Sequence, residues 1–359
     1  MIKKLHIVIG RFEPPHLSHI EFLRQAAIGA DDLLVILGSS YQAPSSKNPF
    51  SWGDRVHMIG SCFEEKRLGA NLWFRPVRDS RYDDQEWRSA VLKTVEAFCR
   101  EHHPDDTVEV TLYGVSKPSD ASTWYLDYFP MWKYFGINPD TIQAMNATSI
   151  RSSMFLVGDL SHCSNVLHPA VQDFLTRWVK SEDGIRLAKE YAEILREKKL
   201  ASAYPYPLTY TTSDAVVIWR NKILLVRRGG LIGNGLWALP GGFIGADNET
   251  CYNAAKREAA EETGCELRDE WCLTPDGMVF DCPTRSLRGR TISHGYLFQI
   301  PDDVTPSVIT GMDDAAYACW YPFSEIPGIE HMLFEDHIDI IRRLTQRAGI
   351  KQPNWRPEL

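Results

Sequence analysis

The chain contains no Cys-x-x-Cys pair, no long apolar run, no internal repeat and no surplus of positive charge. Its eight cysteines are scattered singly. They read as reduced thiols rather than as a disulfide framework or a zinc site. With no stretch of about 18 apolar residues, no membrane-spanning helix is expected. The apolar run Leu5–Ile9 is short and ends at Gly10-Arg11, so no signal peptide is expected and a cytoplasmic location follows. A net charge of −8 argues against nucleic acid as the general partner. The length, 359 residues, suffices for two domains, each with its own core.

What is present is most distinct between Pro240 and Cys265. The core of this stretch is Arg257-Glu258-Ala259-Ala260-Glu261-Glu262-Thr263-Gly264. On a helix, Glu258, Glu261 and Glu262 fall at i, i+3 and i+4, so the three carboxylates share one face and repel one another. A hard divalent cation such as Mg²⁺, with Mn²⁺ as an alternative, would relieve that repulsion. Ala255 and Ala259 give the helix a small packing face, Gly264 is suited to end it, and Asn248 or Thr250 to cap its start. Upstream, Leu239-Pro240-Gly241-Gly242-Phe243 permits close backbone approach. A solvated acidic helix face is the bland alternative.

Taken together, these residues resemble the Nudix box, in register from Glu249 to Gly264, with a loop between Gly242 and Glu249 one residue longer than the usual pattern. The resemblance implies that Glu258, Glu261 and Glu262 hold a catalytic metal. It also makes the late loop Gly311-Met312-Asp313-Asp314-Ala315 a source of a base or further ligand, with Asp313 and Asp314 the candidates. Such Asp pairs are also common in plain loops. The segment Arg285-Ser286-Leu287-Arg288-Gly289-Arg290 is either a solvated basic loop or, through Arg288 and Arg290, a holder of an anionic substrate.

The first half opens on Leu5-His6-Ile7-Val8-Ile9, a buried strand by pattern, then Gly10-Arg11-Phe12-Glu13-Pro14-Pro15-His16-Leu17-Ser18-His19. The prolines forbid helix before His16, and the periodic segment Ile20–Ala27 predicts helix after it. His16 and His19 lie one turn apart at a helix N-terminus, a place that suits anions. Leu33–Leu37 is a second buried strand, which completes a βαβ unit and predicts a doubly wound sheet with ligands at the carboxyl ends of its strands. Further on, Asn146-Ala147-Thr148-Ser149-Ile150-Arg151 reads as a helix start capped by Thr148 or Ser149. Its N–H groups and Arg151 suit phosphate oxygens.

These motifs resemble the nucleotidylyltransferase superfamily, with its His-x-x-His and Ser/Thr-x-x-Arg signatures, and within it the archaeal-type nicotinamide mononucleotide (NMN) adenylyltransferases. The resemblance implies catalytic roles for His16, His19 and Arg151, and substrate contacts from Gly10, Arg11, Phe12, Asn48, Arg55, Thr148 and Ser149. Ser51 and Arg55 also read as an ordinary capped helix start. Trp87 is either a stacking partner for the nicotinamide ring or a core residue. After the strand Val108–Tyr113, Lys117 is a candidate for a phosphate and Asp120 for a ribose or loop backbone.

Between the halves, Arg186–Lys199 reads as a charged amphipathic helix, and the Pro205 and Pro207 stretch as a linker. The expected class is α/β. A doubly wound, Rossmann-like nucleotidylyltransferase domain covers 1–183, a helix and Pro-rich linker 184–207, and a Nudix α/β/α sandwich 208–350. Strands Thr209–Trp219 and Lys222–Val226 should be joined by a hairpin turn at Arg220-Asn221, and a helix Phe334–Arg347 should close the second domain. The implied function is bifunctional. ATP and NMN would give NAD and pyrophosphate, and ADP-ribose or a related nucleoside diphosphate derivative would be hydrolysed. Mg²⁺ serves both, no nucleic acid or membrane is involved, and a homo-oligomer such as a dimer is expected. The rivals are a nucleotidylyltransferase for another phosphorylated acceptor, and a Nudix domain that senses ADP-ribose without cleaving it. The intact carboxylate set and a C-terminal tail too short for a winged helix argue against the sensor.

Overall fold

The computed structural model describes residues 1–64, 68–115, 125, 127–137, 146–245 and 248–355. The chain divides into two units, Met1–Ala188 and Lys189–Leu359. Among the described residues no helix is long and apolar enough to cross a membrane.

The first unit contains β1 (Ile2–Gly10), α1 (Leu17–Ala26), β2 (Asp32–Leu37), α2 (Trp52–Ser61), β3 (Asn71–Pro76), α3 (Asp84–His102), β4 (Thr107–Val115), β5 (Lys133–Ile137), α4 (Ala147–Leu156) and α5 (Pro169–Trp178). Among the described residues its five strands are all parallel, in the order β3-β2-β1-β4-β5. Side chains alternate across β1. Leu5 and Ile7 join Leu34, Ile36 and Leu112 in a core covered by Val91, Val95 and Phe98 of α3. His6 points the other way, and its Nδ1 lies 2.7 Å from the carbonyl of Ala26 at the end of α1. Helices therefore cover both faces, as doubly wound sheets require. β5 and α5 were not foreseen. β5 is only Lys-Tyr-Phe-Gly-Ile, at the sheet edge, and its first four residues are exposed, so burial leaves no apolar pattern in the sequence.

The helix expected at Arg186–Lys199 runs further, as α6 (Glu182–Ala201), and the division between the units falls inside it. The second unit continues with β6 (Thr209–Trp219), β7 (Lys222–Arg228), β8 (Trp237–Ala238), β9 (Gly241–Phe243), α7 (Cys251–Thr263), β10 (Met278–Phe280), β11 (Arg290–Ile300), β12 (Ala315–Pro322) and α8 (His337–Arg347). Arg220 and Asn221 both take positive φ, 45° and 59°, as a two-residue hairpin turn demands. The main sheet runs β10-β11-β6-β7-β12, with β8 and β9 attached to β7 and β6. β6 and β11 pair in parallel without a break from Thr209↔Arg290 to Trp219↔Ile300. Tyr296, Phe298 and Ile300 of β11 pack with Ala255 and Ala259 of α7. The alternate residue Gly295 faces Leu344 and Ile340 of α8, where an added Cβ would come within 2.9 Å of Leu344. The two helices thus lie on opposite faces of the sheet, an α/β/α arrangement. β12 was also not foreseen; its burial alternates poorly along Ala315–Pro322.

Candidate active sites

In the first unit the loop after β1 carries the candidate site. His16 precedes α1, accepts Ile20 N–H through its carbonyl at 3.1 Å, and donates its own N–H to His19 Nδ1 at 3.3 Å. The two imidazoles stack with centroids 3.7 Å apart, and Phe12 meets His19 edge-on at 5.0 Å. The spacing of three residues on one turn thus places both rings together, as expected. The Phe12 ring lies across Gly10, where a Cβ would stand 2.8 Å from it. Arg11 is exposed and reaches Asn48 Oδ1 at 3.5 Å.

Beneath this loop is a buried ionic cluster that the sequence did not announce. Glu13 is 3% exposed, accepts Phe50 N–H at 3.2 Å and lies 3.4 Å from Arg55 Nε. Burial pushes its carboxyl up to about 8, against the opposing pull of Arg55, Phe50 N–H and Arg151. Arg55, expected as a substrate contact, is fully buried instead. It donates to the carbonyls of Arg11 at 2.9 Å and Gly38 at 2.7 Å and to Ser40 Oγ at 3.1 Å. It therefore ties the loop after β1 to the loop after β2. Ser51 caps α2 in a reciprocal pair with Asp54, so that helix start is as read.

Arg151 also points inward. It is 8% exposed and donates to Ser46 O at 3.2 Å, Glu13 O at 2.5 Å and Thr148 Oγ1 at 3.1 Å. Thr148, Arg151, Asn48, Glu13 and the histidine loop thus meet at the carboxyl end of the sheet. The cap of α4 is a correction. Neither Thr148 nor Ser149 supplies it; Asn146 Oδ1 accepts Thr148 N–H at 2.8 Å, because an Asn two residues back reaches the first free N–H. Trp87 is 8% exposed and packs in the core of the sheet near Tyr125 and Phe129, with the core alternative of its two readings. Lys117 and Asp120 lie outside the described residues. Asp79, which carried no assigned role, holds the loop after β2 by accepting Ser39 N–H at 2.9 Å and Gln42 Nε2–H at 2.8 Å.

In the second unit α7 is capped at its start by Thr250, whose Oγ1 accepts Asn253 N–H at 3.2 Å, and stopped by Gly264, which takes φ 73°. Glu258 and Glu262 are buried and Glu261 is exposed. Arg257 lies among the carboxylates. It bonds Glu249 at 2.7 Å, Glu258 at 2.9 Å, Glu261 at 2.6 Å and the carbonyl of Phe243 at 3.0 Å. Burial raises the Glu258 carboxyl, Arg257 opposes the rise, and Glu261 and Asp313 add to it. Burial likewise pushes Glu262 up to about 8. Gly241 N–H and Arg228 oppose the rise, while Glu258 and Asp214 reinforce it. Among the described residues no three His, Cys, Asp or Glu side chains are gathered tightly enough to hold a metal ion as they stand. The donor set nevertheless fits a hard dication: oxygen ligands on one helix face, two of them buried and both raised in pKa, first by burial and then by neighbouring carboxylates, Glu261 and Asp313 for Glu258 and Glu258 and Asp214 for Glu262.

The Gly-Gly loop approaches these carboxylates as closely as chain can. Gly241 N–H donates to Glu262 Oε2 at 3.0 Å. The late loop docks on the end of α7 through Met312 N–H to Glu262 O at 3.0 Å, leaving Asp313 and Asp314 exposed. Of the basic loop, Arg288 lies over the Phe243 ring at 5.2 Å, whereas Arg290 donates to Asp281 O at 2.5 Å, away toward β10. Arg228 was missed. It sits at the end of β7 over the Phe334 ring at 4.2 Å, and its charge draws Glu262 down. Only its position before the Leu239–Phe243 loop could have pointed to it.

The cytidylyltransferase-like family matches residues 7–205, more than half of the chain. The chain belongs to that family. Its second unit matches the NUDIX domain over residues 209–344. A bifunctional NMN adenylyltransferase/ADP ribose pyrophosphatase from Francisella tularensis is 32% identical, with a TM-score of 0.85 over 97% of this chain and 100% of that one. The structure of the Francisella protein complexed with AMP and a Mn ion gives a TM-score of 0.83 over the same shares. A nicotinamide/nicotinic acid mononucleotide adenylyltransferase from Acinetobacter baylyi is 30% identical over 42% of this chain and 74% of its own length. An ADP-ribose pyrophosphatase from Methanocaldococcus jannaschii is 30% identical over 43% of this chain and 84% of its own. The two units are thus a Rossmann-like cytidylyltransferase-like domain and a NUDIX domain, in the order found in the Francisella protein.

Proposed function

We propose that the chain is a bifunctional enzyme of NAD metabolism, with adenylyl transfer in 1–183 and diphosphate hydrolysis in 208–350. The reading rests on the similarity to the Francisella protein across nearly the whole of both chains, with both sets of site residues present. In the first reaction the NMN phosphate oxygen attacks the α-phosphorus of ATP in line, forming the new P–O bond of NAD as pyrophosphate leaves. No covalent intermediate is needed, so the site works by positioning and charge neutralisation. His16 and His19, stacked at the start of α1, would meet the phosphates there; Arg151 and Arg55 hold the loop that presents them.

In the second reaction water attacks one phosphorus of ADP-ribose and the P–O–P bridge breaks, giving AMP and ribose 5-phosphate, with two protons released when both monoesters are fully ionised. A divalent cation, Mg²⁺ or Mn²⁺, held by Glu258, Glu261 and Glu262, would supply Lewis acidity and an activated water. Arg288 and Arg228 would draw the diphosphate toward α7. Phe243, half exposed beside Tyr210 with ring centroids 5.9 Å apart, offers an aromatic face at the same place. The sensor alternative is less favoured because all three carboxylates are present on one helix face.

The test is product analysis. Purified protein is given ATP with NMN, and separately a panel of dinucleotides and sugar nucleotides with Mg²⁺ or Mn²⁺. NAD with pyrophosphate, and AMP with ribose 5-phosphate, are the expected products. ADP-ribose bound but uncleaved would favour the sensor.

A further inference from the structure

The loop that touches Glu258 and Glu262 is held from its other side by a residue far along the chain. His337, the first residue of α8, is 5% exposed. Its Nδ1 accepts the N–H of Leu239 at 2.8 Å. Its Nε2 lies 3.8 Å from Asp214 Oδ1. Leu239 immediately precedes Pro240-Gly241-Gly242. Along this stretch three backbone groups are pinned in succession. Leu239 N–H goes to His337, Pro240 has no N–H, the Pro240 carbonyl accepts Ala215 N–H at 2.9 Å, and Gly241 N–H goes to Glu262. Asp214 closes the circuit. Its Oδ2 accepts the Ser293 hydroxyl, and its Oδ1 packs so closely on Gly241 that a Cβ there would clash with it.

We propose that His337 is a positioning residue of the hydrolase site, which sets the depth of the Pro240–Gly242 loop and through it the place of the Glu262 carboxylate. This rests on the reading of the second unit as a metal-dependent diphosphate hydrolase. Accepting at Nδ1 fixes the tautomer, since the neutral ring must carry its proton on Nε2, toward Asp214. A lost acceptor would leave the Leu239 N–H buried without a partner and free the loop to shift. Nothing in the local sequence near the Nudix box marks this residue, because it enters from the helix on the opposite face of the sheet.

The experiment exploits the two ring nitrogens. In His337→Asn the side-chain oxygen falls near the position of Nδ1 and can still accept from Leu239. In His337→Gln it falls near Nε2 and cannot, and His337→Leu has no acceptor. Three quantities are measured on each full-length variant: kcat and KM for ADP-ribose, Mn²⁺ binding followed by loss of the free-ion electron paramagnetic resonance signal, and NAD synthesis. The expected result is a loss of about tenfold to a hundredfold in kcat or in Mn²⁺ affinity for Gln and Leu, with little change in KM. The Asn variant should stay within about threefold of the native protein, the span of an acceptor kept in place, and NAD synthesis should be unchanged throughout. Native Mn²⁺ affinity and kcat in the Gln variant would overturn the proposal, as would an Asn variant as impaired as Gln. If Leu fails to fold, Gln against Asn decides the matter. If the native protein binds Mn²⁺ but leaves ADP-ribose intact, the substrate reading fails, and the Mn²⁺ series alone still judges His337.

Discussion

Gly242 lies so close to Glu258 that a Cβ built on it would stand 2.5 Å from Glu258 Oε1. The contact is with the far end of a side chain, which can swing away. Gly242→Ala should therefore fold, with melting temperature changed by a few degrees at most, while hydrolysis of ADP-ribose falls about tenfold or more as the carboxylate is displaced. Gly241→Ala is the contrast. Its Cβ would meet the carbonyl of Ser213 at 2.5 Å, and backbone cannot yield so readily. That variant should lose about 1–3 kcal/mol of stability, read from denaturant melts. Equal melting behaviour in the two variants would contradict this division.

Glu262→Gln should stop AMP release at saturating Mg²⁺ and leave NAD synthesis intact. The effect on stability has a definite sign. Burial holds the folded-state pKa near 8, above the ordinary value of 4.5. The fold therefore favours the protonated form, and that contribution is complete below about pH 4.5 and lost as pH rises through 8. Metal-free native protein should lose stability between about pH 5 and pH 8, and the Gln variant should lose less. Melting curves at the two ends of that range, without metal, make the comparison. Parallel pH profiles would show that Glu262 does not titrate there.

The same raised carboxyl predicts proton release on metal binding. A ligand must be deprotonated to bind, so Mn²⁺ affinity should climb from about pH 6 to pH 8, with about one proton leaving per ion near neutrality. Calorimetry in two buffers of different ionisation enthalpy counts that proton. Identical heats in both buffers would mean the carboxylates are already ionised.

In the first unit His19→Ala should abolish NAD synthesis while ADP-ribose hydrolysis persists. Loss of both activities in a folded protein would deny two independent sites.

Arg151→Lys has a different signature. The guanidinium spans Ser46 O, Glu13 O and Thr148 Oγ1, and an ammonium cannot hold all three. Adenylyl transfer should fall about tenfold or more and stability by about 1–3 kcal/mol, because buried carbonyls lose their donor. An unchanged melting curve would show that the inward contacts are unimportant.

The parts of this molecule that were legible in sequence are those where chemistry and local geometry coincide. The i, i+3, i+4 carboxylates, the His16–His19 turn and the Arg220-Asn221 hairpin each state their own geometry within a few residues. What was hidden depends on partners distant in the chain. Arg55 reads as a substrate contact or as part of a capped helix start, and only the folded loops after β1 and β2 bring it its three acceptors. Glu13 stands inside a conspicuous motif, yet its burial against Arg55 is a tertiary fact. Arg228 acts on the carboxylate helix from β7 and His337 on the loop beside it from α8, and no spacing rule connects them to it. Asn146 displaced the expected caps Thr148 and Ser149 through a shift of two or three residues at the helix start.

The unbroken parallel pairing of β6 with β11 bears on how the second unit comes to exist at all. Parallel neighbours cannot be joined by a tight turn, and the segment between these two contains β7, the Gly-Gly loop and the whole of α7. The sheet's central ladder therefore cannot close until all of that chain has been synthesised and gathered in. Closing so long a loop is slow, since its entropy is lost before the ladder returns anything. On the ribosome the carboxylate helix emerges well before the strand that completes its support. The acidic face of α7 is then assembled late, as one event with the sheet rather than ahead of it.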